Sequence, residues 1–169
     1  MTSLLAGLLH PLLVPAHLMA VLALALLIGQ QGWGWGWSVA IVYVAAVLAG
    51  LGAIASAYMP TRAADGLLAF AALAGLLVAL GRPLPRVLGW LLGAATGTTV
   101  ALDSPPEAIS LRDANLTLAG TALGLTIALM LLVQGASRLR LGWQRIGVRI
   151  LGSWIAASAI LVLALRIVR

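Results

Sequence analysis

Long apolar stretches separated by short polar ones make up this chain. Residues 1–61 contain no charged side chain, and neither do 66–81, 87–102, 114–137 and 150–165. A helix that crosses ~30 Å of hydrocarbon needs ~20 apolar residues. The first stretch is therefore long enough for two crossings, and each of the others for one. Its middle, Gln30-Gln31-Gly32-Trp33-Gly34-Trp35-Gly36-Trp37, supplies the break, because alternating Gly lowers helix preference and Trp favours the headgroup level. The pattern predicts six helices, at about 6–29, 38–59, 66–82, 86–102, 113–136 and 148–166. Three charge-free stretches are 16 residues long, about 24 Å at ~1.5 Å per residue, so Arg82, Arg86, Arg149 and Arg166 beside them must snorkel or the bilayer must thin.

Composition points the same way. Of 169 residues, 63% are hydrophobic and 8% charged, against about 25% charged in a soluble domain. The expected fold class is all-α: a polytopic membrane protein, a six-transmembrane-helix bundle whose connections are too short to form a separate soluble domain, so that 1–169 is a single transmembrane helical domain. The first segment lacks a basic leader and reads as a retained helix rather than a cleaved signal peptide. There is no Cys, which excludes disulfides, thiolate metal sites and Cys nucleophiles.

All ten basic residues are Arg, against four acids, for a formal charge of +6. The arginines flank helices rather than forming a contiguous basic face, so nucleic acid is not an expected partner; the lipid bilayer is. With six crossings, the first, third and fifth loops share one side and hold Arg82, Arg86, Arg138, Arg140, Arg145 and Arg149 with no acid. The other side holds Arg62, Arg112, Arg166 and Arg169 together with Asp65, Asp103, Glu107 and Asp113. The positive-inside rule then places the protein in the inner (plasma) membrane with the odd loops cytoplasmic and both termini outside. Every carboxylate falls on the outer side, where clustered acids raise the local cation concentration.

The first helix opens His10-Pro11-Leu12-Leu13-Val14-Pro15-Ala16-His17. In a regular helix His10 and His17 would share a face but stand ~10.5 Å apart along the axis, too far to bind one metal ion. Pro15 removes a backbone donor and can distort the turn, bringing the imidazoles closer. Ionisable groups inside membrane helices mark a pathway or a paired site, although a neutral His bonded to a Thr or carbonyl on a neighbouring helix fits the same residues. The fourth loop, Thr96-Gly97-Thr98-Thr99-Val100-Ala101-Leu102-Asp103-Ser104-Pro105-Pro106-Glu107, sets a threonine cluster and a Pro-Pro corner beside two carboxylates. It reads either as a capped turn or, with the histidines, as part of a metal site of His10, His17, Asp103 and Glu107, a donor set suited to nickel, cobalt or zinc.

Gly89-x-x-x-Gly93-x-x-x-Gly97 and Gly120-x-x-x-Gly124 place small residues on one helix face each, for close packing within the bundle, against other membrane subunits or in a homo-oligomer. Asn115, Thr117, Thr121 and Thr126 add polar atoms that suit bonds between helices. There is no Gly-x-Ser-x-Gly, His-Glu-x-x-His or phosphate-binding glycine loop, so enzyme activity is not expected and no catalytic or cofactor-binding residue is assigned.

A Lys-free chain of six apolar helices whose first begins Gly-Leu-Leu-His-Pro-Leu-Leu, with a second His seven positions on, resembles the HupE/UreJ family. The first-helix motif of that family is His-Pro-x-x-Gly-x-Asp-His; His10, Pro11 and His17 match it, while Val14 stands at the glycine and Ala16 at the aspartate. The stretch corresponding to the family's His-rich fourth helix, Leu91 to Leu102, carries Thr and no His. The resemblance implies a multi-pass permease for nickel or cobalt, associated with hydrogenase and urease systems, with Ni2+ or Co2+ as the transported ion. The departures keep a second reading open: a non-transporting subunit that holds the fold and scaffolds a larger membrane complex.

Overall fold

Proline and glycine positions decide where the apolar stretches break. In the computed structural model, which describes residues 3–56, 62–106 and 110–168, the chain forms α1 (Ser3–Leu13), α2 (Pro15–Gln31), α3 (Trp33–Ala55), α4 (Ala63–Leu80), α5 (Arg86–Leu102), α6 (Leu111–Ser137) and α7 (Gly142–Ile167). No strand occurs among the described residues. The all-helical expectation holds, with three corrections to the boundaries.

The first expected helix, 6–29, is two. Pro15 begins α2, where its missing N–H is no loss, and α1 meets α2 at an angle of 70°. Second, the Trp-Gly repeat does not keep the chain out of a helix. Gly32 alone makes the break, at φ 93° and ψ 166°, a region L side chains rarely adopt. Tertiary contact outweighs the low helix preference beyond it: Trp35 is buried and donates its Nε1–H to the Leu84 carbonyl at 3.2 Å. Third, α7 starts six residues before the expected 148, because the Leu141 N–H donates to the Gln144 side-chain oxygen at 3.0 Å and closes the first turn.

Among the described residues, four helices contain segments long and apolar enough to cross a membrane, Gly34–Ala55, Ala63–Leu80, Leu111–Ser137 and Gly142–Ile167, and the bent α1–α2 pair makes a fifth if taken as one span. At 17 residues α5 is about 26 Å long.

Helix α2 sits at the centre and touches every other helix. It is apolar all round, with Ala20, Val21, Ala23, Leu24, Ala25, Leu26, Leu27 and Ile28 all buried, the pattern of a helix surrounded by protein. The closest packing joins α1 with α6, α3 with α5 and α4 with α7. Small residues permit these approaches: a Cβ on Gly120 or Gly124 would run into the Leu4 or Leu8 carbonyl of α1, and one on Gly89 or Gly97 into Trp35 or the Tyr43 carbonyl of α3. Both glycine faces found in the sequence are thus occupied inside the chain. The Gly75–Gly152 contact between α4 and α7 does the same without a glycine repeat.

The pairings also give direction. Gln30 bonds the Val78 carbonyl and Gly29 abuts Ala136, so α2, α4 and α6 run the same way. Arg149 at the start of α7 reaches Ala79 at the end of α4, and Asp65 at the start of α4 reaches Arg166 at the end of α7, so α7 runs opposite. One end of the bundle therefore holds Asp65, Asp103 and Asp113, and the other holds Arg82, Arg140, Arg145 and Arg149.

Candidate cation site

The break before Pro15 shapes the site. Val14 adopts an extended conformation, φ −93° and ψ 110°, open to any L residue, so the bend does not need the glycine of the family motif. His10 occupies the last turn of α1 and His17 the first turn of α2. Folding the chain between them brings the two rings to a centroid separation of 5.3 Å with 64° between planes. Two imidazoles bound to one ion through N–metal bonds of ~2.1 Å must have centroids within about 6.5 Å of each other, and this pair satisfies that limit.

Asp103 caps the C-terminus of α5, its N–H donating to the Thr99 carbonyl at 3.0 Å. The next residue, Ser104, is buried and bonds the Val100 carbonyl, so the carboxylate is set on a rigid corner ahead of Pro105 and Pro106. From there Oδ2 of Asp103 lies 3.0 Å from Nε2 of His17. An ionised carboxylate only accepts, so Nε2–H donates, and in the neutral ring Nδ1 keeps its lone pair. His17 is 0% exposed while the Asp103 side chain is 26% exposed. The pair therefore joins the protein interior to the surface. A carboxylate oriented in this way fixes the tautomer and orientation of an imidazole that ligates metal through its other nitrogen.

Nδ1 of His17 is buried and has no hydrogen-bond partner among the described residues. Two more buried groups share that condition: the Thr96 hydroxyl, on a residue 1% exposed, and the Tyr43 hydroxyl. They belong to α2, α5 and α3, which touch one another, and Tyr43 packs against Gly97, next to Thr96. Each buried orphan costs about 1–3 kcal/mol, so three on helices that touch one another are a feature to explain. Sequence reasoning picked out the threonine cluster but not Tyr43; its signal was a phenol alone in the run Ala40-Ile41-Val42-Tyr43-Val44-Ala45.

The other acids go elsewhere. Asp65 faces Arg166 at 3.5 Å on the exposed rim. Asp113 accepts from Ser3 and Ser110, both at 2.6 Å, tying the start of α1 to the start of α6. Glu107 lies outside the described residues. Among the described residues, no three His, Asp or Glu converge closely enough to hold a metal ion. Of the expected ligands, His10, His17 and Asp103 are thus brought into one neighbourhood by two contacts, His10 on His17 and His17 on Asp103.

Ala16 stands where the resemblance implies an aspartate. The carboxylate beside His17 comes from Asp103, 86 residues away. No curated protein and no solved structure matches the chain. The pattern described as HupE / UreJ protein matches residues 1–162, nearly the whole length, and the chain belongs to the HupE/UreJ family of membrane proteins.

Proposed function

We propose that this chain is a multi-pass permease for a divalent transition-metal cation of the nickel or cobalt type, with its entry site at the acid-bearing end. The observation that carries this reading is His17, fully buried, bonded to Asp103 through Nε2 and left with an Nδ1 that has no partner among the described residues, beside the ring of His10. Imidazole nitrogen with carboxylate oxygen suits borderline divalent ions. Glu107, four residues beyond Asp103 in sequence, is proposed as the further donor. Thr96 and Tyr43 continue the polar groups from this site into the bundle and are proposed to line the route inward.

The topology that goes with this function has six crossings in one transmembrane unit, the α1–α2 pair serving as one and α5 as a short one. The inner membrane houses it, with the Arg-rich end cytoplasmic and both termini outside. The chain carries no ATP-binding motif, so uptake against a gradient draws on an ion gradient or a separate energising subunit.

Nickel or cobalt accumulation in cells tests the reading. His17→Ala and His10→Ala at unchanged protein level should each reduce accumulation to that of cells lacking the protein; accumulation at the level of the unaltered chain would refute it. The second reading, a non-transporting subunit of a membrane complex, draws on the lack of a three-donor cluster among the described residues. It predicts stoichiometric partners after gentle detergent extraction, whereas a lone monodisperse species would count against it.

A further inference from the structure

At the end opposite the histidines, a cavity of about 940 Å3 opens among the α2–α3 turn, the α4–α5 turn, the end of α6 and the start of α7. Arg82, Arg140, Arg145 and Arg149 all line it, and no acid does. The described carboxylates are at the far end of the bundle, paired with His17, Arg166, Ser3 and Ser110. Among the described residues none of the four guanidiniums has a carboxylate partner.

Their internal bonds separate them into two kinds. Arg149 donates Nε–H to the Ala79 carbonyl at 2.7 Å and so closes the end of α4; Arg140 donates Nε–H to Ser137 at 3.3 Å. Both keep their terminal NH2 groups for another acceptor. Arg82 and Arg145 use none of their side-chain donors within the described protein. Arginines that merely flank a membrane helix splay singly into water. Here four from three parts of the chain surround one concavity, whose low-dielectric wall focuses a field of one sign.

We propose that this cavity binds a phosphate-bearing anion. Guanidinium forks match tetrahedral oxyanions bidentately, and the amide of Gln134 on the lining adds a neutral donor. Met130, Val133 and Val148 give the lining an apolar part. A lipid headgroup with its glycerol region and a soluble polyphosphate share this chemistry. The inference rests on the arginine cavity alone, not on the metal site.

The test uses the full chain. In detergent, thermal unfolding is followed against pyrophosphate and against chloride at equal ionic strength. In parallel, the protein is placed in nanodiscs of phosphatidylcholine alone or of phosphatidylcholine and phosphatidylglycerol in equal parts, and lipid retained after delipidation is identified by native mass spectrometry. Saturable stabilisation by pyrophosphate identifies a soluble anion; selective retention of phosphatidylglycerol identifies a headgroup. In either case Arg82→Gln/Arg145→Gln should weaken binding about tenfold or more, a loss of at least about 1.4 kcal/mol, because two charge-assisted contacts are removed. Arg62→Gln/Arg112→Gln at the opposite end should leave it unchanged. If the double variant does not fold, Arg140→Gln, bonded only within its own turn, carries the comparison. Pyrophosphate no better than chloride together with no preference for phosphatidylglycerol would overturn the proposal, and so would arginine variants that bind as the unaltered chain does.

Discussion

The two ends of this bundle handle charge in opposite ways. At one, each described carboxylate is answered: Asp103 by His17, Asp65 by Arg166, Asp113 by two serines. At the other, four arginines surround a cavity with no acid among its lining residues. The first end is closed by contacts between distant helices; at the second, no described carboxylate pairs with the four arginines. In a protein with so few charges, this asymmetry separates an end whose carboxylates are answered within the chain from an end proposed to bind an anion.

The comparison can be broken at its mechanical base first. Gly120→Leu pushes a side chain into the Leu4 carbonyl, where backbone and not a flexible side chain stands in the way. It should unseat α1, destabilise the protein by about 3 kcal/mol in reversible unfolding, at the upper end for overpacking, and abolish metal accumulation because His10 moves with α1. A variant as stable and active as the unaltered chain would show that α1 is not fixed by α6.

Asp103→Asn comes next. It leaves His17 in place but removes the carboxylate bonded to it, and on the proposed permease reading nickel affinity by equilibrium dialysis should fall about 10- to 100-fold, the loss usual when a group that orients a metal-bound His is removed. An unchanged affinity would detach Asp103 from the site.

Thr96→Val sharpens the interior part of the comparison. It exchanges a buried hydroxyl without a partner for a methyl of the same shape, so stability should rise by about 1 kcal/mol while metal accumulation slows. Raised stability at full accumulation would remove Thr96 from the route. The smallest effect belongs to Asp65→Asn: its ion pair with Arg166 is exposed at 3.5 Å, and such pairs contribute about 0–1 kcal/mol. Accumulation should not change, which distinguishes the rim acids from Asp103.

Much of this was legible in the chain itself. Charge-free stretches located the helices, because hydrocarbon excludes ions over a length set by its thickness. Pro15 announced the break that lets His10 and His17 meet, since a residue without an N–H cannot continue the helical ladder. Boundaries were misplaced where packing outweighed local preference, as at Trp35, held by Leu84 across the α4–α5 turn. Tyr43 escaped notice because nothing near it in sequence is polar.

Apolar length, sidedness of charge and the position of the first break follow from composition and spacing, because each depends only on how a segment meets lipid or on its own backbone. Spacing singles out Asp103 and Glu107 beside the Pro-Pro corner as the candidate carboxylates, but not a contact with His17: that is made by the α5 corner, held beside α2, which brings Asp103 to 3.0 Å. The arginine cavity was equally hidden, since residues from the α4–α5 turn, the α6–α7 turn and the first turns of α7 converge only once neighbouring helices are chosen. That choice belongs to side-chain fit across helices, where glycine faces admit one partner's backbone and bulkier faces do not.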